Sequence, residues 1–282
     1  MTFRTIIPGE VPHREMHQIL LGGVAPRPVA FVASLSPDGT ANLSPFSFFN
    51  AYSSKPPTIA IGPAIAARTG IAKDTYLNIL DTGECTVNAV TYAMTEQASL
   101  ASSEYPRGVD EFTKAGFTKR ASQAVAPPLV AESPFSLECK LVEHYPIRRD
   151  IGGNGVILIL EAIRAHIAEE VMTDGEIDPH KIDLVGRMNG DWYCRAHGDA
   201  IFEVKKPRTV GIGFDALPDF IRTSEILTGA ELAKLAGVNE KPVAEISFQL
   251  PDGLPDDTFA AAKIMLAQNN TAAAWQLLLR AV

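Results

Sequence analysis

A chain of 282 residues, 46 % hydrophobic and 21 % charged, can bury one large core, or a core of about 200 residues with an appendage, and is not a disordered segment. Its net charge of −8, from 25 basic and 33 acidic side chains, comes without a Lys/Arg cluster and argues against nucleic acid and anionic membrane surfaces as partners. The first residues, MTFRTIIPGEVPHREM, lack an apolar leader, the run around GVILIL is too short to span a bilayer, and no C-x-x-C pair occurs, so the expectation is a cytoplasmic protein with reduced thiols, Cys85 and Cys139 lying in strand-like runs.

In chain order, residues 12–21 read as a short helix with Pro12 in its first turn. PVAFVASLS is a strand, Asp38-Gly39 a hairpin turn, and ANLSPFSFFNAYS a second strand returning from it. PTIAIG is a third strand. KDTYLNIL is a helix with Asp74 or Thr75 as N-cap, and ECTVNAV a fourth strand. A polar helical stretch covers 91–104. Long strands resume in SPFSLECKLVEHYPI, GVILILEAIRAHIAEEV and LVGRMNGDWYCR, the last folded at Asn189-Gly190. Short strands in hairpin order with few helices between them predict an antiparallel barrel, mainly β. The character changes after Lys205, where TSEILTGAELAKLAG and DDTFAAAKIMLAQNNTAAAWQLLLRAV read as helices. The expected organisation is a barrel domain over 1–204 and a helical C-terminal extension over 205–282 that packs on the barrel or on a dimer partner. Apolar residues surround much of the last helix near its end, so that helix is expected to be buried.

Motif spacing excludes several chemistries. GIGF at Gly211 and GGNG at Gly152 lack the strand–glycine–helix context of a dinucleotide fold and read as turns. HREMH puts His13 and His17 on one helical face, but Arg14 stands where a metalloprotease needs glutamate and no third ligand follows, so no metal is expected. His144, His166, His180 and His197 are scattered, without a nucleophile motif near them.

Two neighbouring segments suggest a binding site. SPFSFFNAYSSKPPTIAIG, residues 44–62, mixes three phenylalanines with four serines and an asparagine, too many hydroxyls for a core strand and too many aromatics for a surface loop. ARTGIAKDTYLNI, residues 67–79, joins Arg68 and Lys73 to a helix start whose first N–H groups are unpaired, a seat for phosphate. A flat ring with hydrogen-bonding edges and a phosphomonoester tail matches both, and FMN is such a molecule.

APRPVAFVASLSPDGTANLSPFSFFNAYSSKPPTIAIGP, KDTYLNILDTGECTVNAV and RMNGDWYCR, in that order over about residues 20–200, resemble the flavin-reductase-like FMN-binding split-barrel family. That family includes the NAD(P)H:FMN oxidoreductase components of two-component monooxygenases. GFDALPDFIRTSEILTG is similar to a tail found in one of its branches. The resemblance implies a Greek-key split barrel, a homodimer, and FMN in a groove at or near the subunit interface. It implies that the ring edge meets Ser47, Phe48, Asn50, Ala51 and Ser53, and that the phosphate meets Arg68, Lys73, Asp74 and Thr75. NADH or NADPH would be co-substrate, and reduced flavin would pass to a partner monooxygenase or another acceptor. No acid or base of the family maps onto this chain; His166 and Arg187 fall in matched strands without a catalytic role. The alternatives are an FMN-binding protein without turnover and an oxidase of the pyridoxamine-phosphate type.

Overall fold

The computed structural model describes residues 1–63, 72–147, 155–204, 210–245, 247–249 and 251–280. The chain forms two compact units, Met1–Phe202 and Glu203–Val282.

The first unit contains α1 (His13–Gly23), β1 (Arg27–Pro28), β2 (Ala30–Leu35), β3 (Ala41–Phe46), β4 (Phe49–Ser54), β5 (Pro57–Ile61), α2 (Asp74–Thr82), β6 (Glu84–Ala89), α3 (Thr95–Ala101) and α4 (Glu111–Ala115). It continues with β7 (Lys119–Arg120), β8 (Leu129–Val130), β9 (Phe135–Pro146), β10 (Val156–Ile167), β11 (Met172–Thr173), β12 (Glu176–Ile177), β13 (Val185–Arg187) and β14 (Tyr193–Arg195). A seven-stranded sheet runs in the order β3-β2-β6-β9-β10-β5-β4, each adjacent pair antiparallel. The unit is mainly β, a split barrel with peripheral helices.

Chain length forces the sheet to curl. β3 and β4 occupy opposite edges, yet only Ser47 and Phe48 separate them. Three residue steps reach at most about 11 Å, whereas the outer strands of a flat seven-stranded sheet lie about 29 Å apart at ~4.8 Å per strand. The sheet therefore rolls until its two edges approach at this corner. Register shifts in β10 at Ile159/Leu160 and Ala162/Arg164 supply bends of the kind rolling needs. ANLSPFSFFNAYS, expected as one strand, is thus two strands on opposite edges, a break that no local pattern announces.

β2 explains the double core. Ala30 and Val32 point into the barrel, where they meet Ile61, Leu158 and Leu160. Phe31 and Ala33 point outward, into a second cluster with Met94 and Ala98 around α3 and Phe112 of α4. A strand buried on both faces needs a nearly continuous apolar run, which AFVASL provides, its one polar residue Ser34 being hydrogen-bonded to Asn42. Each large side chain so buried contributes about 1.5–3 kcal/mol. Tyr76 and Ile79 of α2 belong to the barrel-interior cluster, and the helix stops at Gly83, whose φ of 72° is left-handed.

The second unit holds α5 (Asp219–Arg222), α6 (Gly229–Ala236), α7 (Thr258–Ala267) and α8 (Thr271–Leu279). The long C-terminal helix expected from the sequence is two helices. Asn269 takes a positive φ of 58°, and the Asn270 side chain caps α8 by accepting from Ala273 N–H. Trp275, Ala274, Leu277 and Leu278 are buried against Leu235, Met265 and Leu266 of the same unit, and Trp275 Nε1 donates to Leu235 O at 3.1 Å. A capping box between Thr228 and Glu231 starts α6.

Candidate functional site

The barrel corner is held by a buried arginine. Arg27, 5 % exposed, donates from Nε to Ser47 Oγ at 3.2 Å, from Nη1 to Leu21 O and Val24 O at 2.7 and 2.9 Å, and from Nη2 to Met188 O at 3.1 Å. It joins the end of α1, the corner and the turn after β13. Burial pulls its pKa down, and the charge of Arg187 adds to that. No carboxylate lies within ion-pair distance of Arg27 among the described residues. Gly186 admits this packing, because a Cβ there would stand 2.8 Å from Pro26 Cβ. Sequence reasoning passed over Arg27; its one signal is a charge inside the apolar run APRPVAFVAS.

Beyond the corner, Phe48 is 45 % exposed and its carbonyl accepts from Gly62 N–H at 2.7 Å. Asn50, Ala51 and Ser53 are exposed on β4. One edge of β4 pairs with β5; the other is open among the described residues. A register shift between Ala51 and Ser53 bulges the strand at Tyr52. Ser53 Oγ accepts from Lys55 N–H at 3.2 Å, which leaves its own proton available.

The start of α2 supplies the other half. Its N-cap is Lys73, not Asp74 or Thr75, and no side chain caps it. Thr75 cannot serve as cap because it is only 1 % exposed and its hydroxyl donates inward to Asn42 Oδ1 at 2.5 Å. Tyr76 and Leu77 N–H groups donate to Lys73 O, and those of Asp74 and Thr75 have no partner among the described residues. Among the described residues, the helix therefore opens with two unpaired N–H groups beside a half-buried lysine. Arg68 lies outside the described residues. Phe46 of β3, Tyr76 of α2 and the partly buried Phe49 and Ala72 meet in one core cluster, so the corner and the helix start frame the same interior.

A buried polar network anchors that helix start. Asn42 Oδ1 also accepts from Ser34 Oγ at 3.3 Å, while Asn42 Nδ2 and Leu43 N–H donate to Glu111 Oε2 at 3.1 and 3.0 Å. Burial pushes the Glu111 carboxyl up, against these hydrogen bonds. Sequence reasoning missed this network too, because Asn42 and Glu111 are sixty-nine positions apart.

A cleft of about 480 Å³ adjoins the corner, lined by Phe46 and Ser47, by Thr95 and Ser99 from α3, and by Arg187 and Tyr193 from β13 and β14. The histidines lie elsewhere. His166 Nε2 is 2.7 Å from Glu138 Oε1, and Glu138 accepts N–H groups from Gln123, Ala124 and Val125, so this pair fastens a loop. His13 and His17 stack at 6.2 Å on α1. Among the described residues no group of three or more His, Cys, Asp or Glu side chains could hold a metal, and no helix is long and apolar enough to cross a membrane.

The open strand edge with its hydroxyls, and the N–H groups beside Lys73 that have no partner among the described residues, fit a flat ring carrying a phosphate. Residues 22–179 match the family described as flavin reductase like domain. An uncharacterized protein of Aquifex aeolicus is 32 % identical over 191 residues, 67 % of this chain and 94 % of its own length. Another, from Halalkalibacterium halodurans, is 34 % identical over 205 residues, 71 % and 95 %. Nitrilotriacetate monooxygenase component B from Bacillus cereus superposes with a TM-score of 0.68 at 28 % identity, over 72 % of this chain and 100 % of its own. A Shewanella frigidimarina protein considered a flavin reductase with a split-barrel domain gives 0.62 at 26 %, over 73 % and 99 %. These relatives are covered almost end to end yet leave a stretch about as long as the second unit without a counterpart. The chain belongs to the flavin reductase-like domain family.

Proposed function

We propose that the chain binds FMN and moves a hydride to it from NADH or NADPH, and that reduced flavin or its electrons then pass to a partner such as a monooxygenase. The observation that carries the reading is that the family match, residues 22–179, contains both the open edge of β4 and the uncapped start of α2. Bound flavin supplies the two-electron acceptor chemistry; the protein binds, orients and shields. Ser47, Phe48, Asn50, Ala51 and Ser53 would meet the ring, through backbone groups and hydroxyls at its edge and Phe48 against a face. Lys73 and the N–H groups of Asp74 and Thr75 would hold the phosphate, with Arg68 as a second cation. Thr75 would act through its backbone, since its hydroxyl is committed to Asn42. The chain would work as a homodimer, because β4 exposes both its faces and one edge, and an uncovered strand edge invites pairing with another chain.

The deciding experiment records the visible spectrum of the purified protein with FMN and adds NADH and NADPH in turn without oxygen. Bleaching of the flavin band is expected with at least one of them. A stable yellow complex that neither bleaches would make the protein a flavin carrier. Oxygen uptake with pyridoxine 5′-phosphate, without nicotinamide, would make it an oxidase. FMN should bind roughly tenfold or more tighter than riboflavin, since a charge-assisted contact contributes about 1.5–3 kcal/mol. Equal affinity in a fluorescence titration would move the phosphate away from α2.

A further inference from the structure

Ser34, Asn42, Asn78 and Glu111 are buried polar residues that make none of the flavin contacts proposed above, yet all four are tied to the start of α2. We propose that Glu111, Asn42 and Ser34, acting through the hydroxyl of Thr75 and the amide of Asn78, are positioning residues for the flavin phosphate: they hold the first turn of α2 from its inner face and so set the preference for phosphorylated over phosphate-free flavin. The inference rests on the flavin reading above and deepens it, because these residues reach the ligand only through the backbone of α2.

Geometry is the first argument. Ser34 of β2 and Asn42 of β3 stand directly opposite each other in the sheet. Thr75 and Asn78 lie three positions apart on α2, hence on one face of it. That face meets the strand pair at two points. Thr75 Oγ1 donates to Asn42 Oδ1 at 2.5 Å, and Asn78 Nδ2 donates to Ser34 Oγ at 3.1 Å. Ser34 Oγ donates in turn to Asn42 Oδ1 at 3.3 Å and closes the ring. Glu111 decides which way the Asn42 amide faces: it accepts from Nδ2 at 3.1 Å, which leaves Oδ1 toward Thr75. Glu111 itself opens α4, where the Asp110 side chain caps the helix by accepting from Phe112 N–H at 3.0 Å.

The second argument concerns which N–H groups are occupied. A side-chain cap steadies a first turn by accepting from its second or third N–H group, and an anion at the helix start needs those same groups. Lys73 provides no such cap. Anchoring from the inner face steadies the turn without occupying them: the N–H groups of Asp74 and Thr75 have no partner among the described residues, while the Thr75 hydroxyl is drawn away from the local backbone to Asn42. A turn already held in one geometry does not have to be ordered when the ligand arrives. Flavin without its phosphate makes no contact there, so the network acts on selectivity and not on the binding of the ring.

The test uses the full chain and measures the Kd of FMN and of riboflavin by fluorescence titration, with the ratio of the two as its readout. Thr75→Val keeps the side-chain shape and the backbone N–H but removes the hydroxyl; Thr75→Ser keeps the hydroxyl. In Thr75→Val the Kd of FMN should rise about fivefold, as for the loss of one buried hydrogen bond, with that of riboflavin within about twofold of wild type. Thr75→Ser should restore most of the ratio. Glu111→Ala, on another element, should lower the ratio by a smaller factor, and Glu111→Gln, whose amide oxygen can still accept from Asn42, should stay close to wild type; this pair carries the test if Thr75→Val does not fold. A rise in the same proportion for both flavins would show that the network supports the barrel as a whole. An unchanged ratio in both Thr75→Val and Glu111→Ala would show that the phosphate needs no anchored turn. Either result overturns the proposal. Failure of the underlying reading is visible in the wild type, which would then bind no FMN or bind FMN and riboflavin equally, and the proposal falls with it.

Discussion

β3 and β4 lie two residues apart in the chain and draw on the same mixture of aromatics, hydroxyls and asparagine, but their environments are opposite. In β3, Ala41, Asn42, Leu43 and Phe46 are buried, and Asn42 is hydrogen-bonded on both sides of its amide. In β4, every residue after Phe49 is exposed, and one strand edge has no partner among the described residues. The turn at Ser47–Phe48 carries the chain from one edge of the rolled sheet to the other. Buried contacts are concentrated on the first side of that turn, and the proposed flavin contacts lie on the second. A strand that has satisfied its own polar groups has nothing to offer a ligand, and one that has not must be covered by something else.

The largest test of this contrast is in the core. Leu43 is fully buried between β3 and the helices outside the barrel. Leu43→Ala should cost about 2.7–5 kcal/mol of unfolding free energy in urea, enough to threaten the fold. A cost under about 1 kcal/mol would mean that β3 is not the structural side.

Next comes Glu111, which ties β3 to α4 and, through Asn42, to the start of α2. Glu111→Ala leaves Leu43 N–H and Asn42 Nδ2 unpaired and should cost about 1–3 kcal/mol. Burial, ahead of the opposing hydrogen bonds, holds this carboxyl above its ordinary range. The folded state therefore binds the proton more readily than the unfolded chain. The contribution is fully present below the unfolded carboxylate pKa, about 4.3, and is lost as pH rises through the raised folded value. Glu138 works in the opposite sense. Burial pushes it up, but hydrogen bonds from Gln123, His166, Ala124 and Val125 together hold it low, so its contribution is lost as pH falls. Glu111→Gln should flatten the decline on the rising-pH side and leave the acid limb unchanged. A pH–stability profile that is the same in the variant and the wild type on the rising-pH side would contradict the assignment.

How much of this was legible depends on how local each cause is. The Asp38-Gly39 and Asn189-Gly190 turns were readable because glycine there takes φ of 86° and 57°, a local requirement written in the residue itself. The both-faces-buried β2 was readable from its apolar run. The break at Ser47–Phe48 was not, because either half makes a plausible continuation of one strand and only pairing with β2 on one side and β5 on the other separates them. Lys73 as N-cap was missed for a similar reason: Thr75 is a good local cap, but Asn42 takes its hydroxyl from thirty-three positions away. The break between α7 and α8 did carry a local signal, Asn269-Asn270-Thr271, which the apolar run around it masked. The mixture of aromatics, hydroxyls and cations behind the proposed flavin contacts is local, so the sequence displays it directly.

Lys73→Ala moves to the binding side. Its ammonium has no ion-pair partner among the described residues, and the residue contributes no side-chain cap to α2, so unfolding should change by less than about 0.5 kcal/mol. FMN should bind roughly fivefold more weakly at low salt, about 1 kcal/mol, and the gap should narrow as salt screens the wild-type contact. An unchanged Kd at low salt would place the phosphate elsewhere and weaken the link between α2 and the open edge.

The smallest effect on the monomer, and the sharpest test of the contrast, is at Tyr52. It is 72 % exposed at the bulge of β4, an aromatic ring left in water on an open edge. Tyr52→Lys removes little that the single chain uses, so unfolding at low protein concentration should shift by less than about 0.5 kcal/mol. In the proposed homodimer the same ring would be covered, and a lysine there would add charge and remove apolar contact. Sedimentation should then show the variant dissociating at concentrations where the wild type remains paired, with FMN loosened in parallel if the second subunit closes over the flavin. Equal sedimentation of variant and wild type would remove Tyr52 from any interface. A loss above about 1 kcal/mol in the dilute monomer would show instead that β4 supports the barrel as β3 does, and the division between a structural strand and a binding strand would fail.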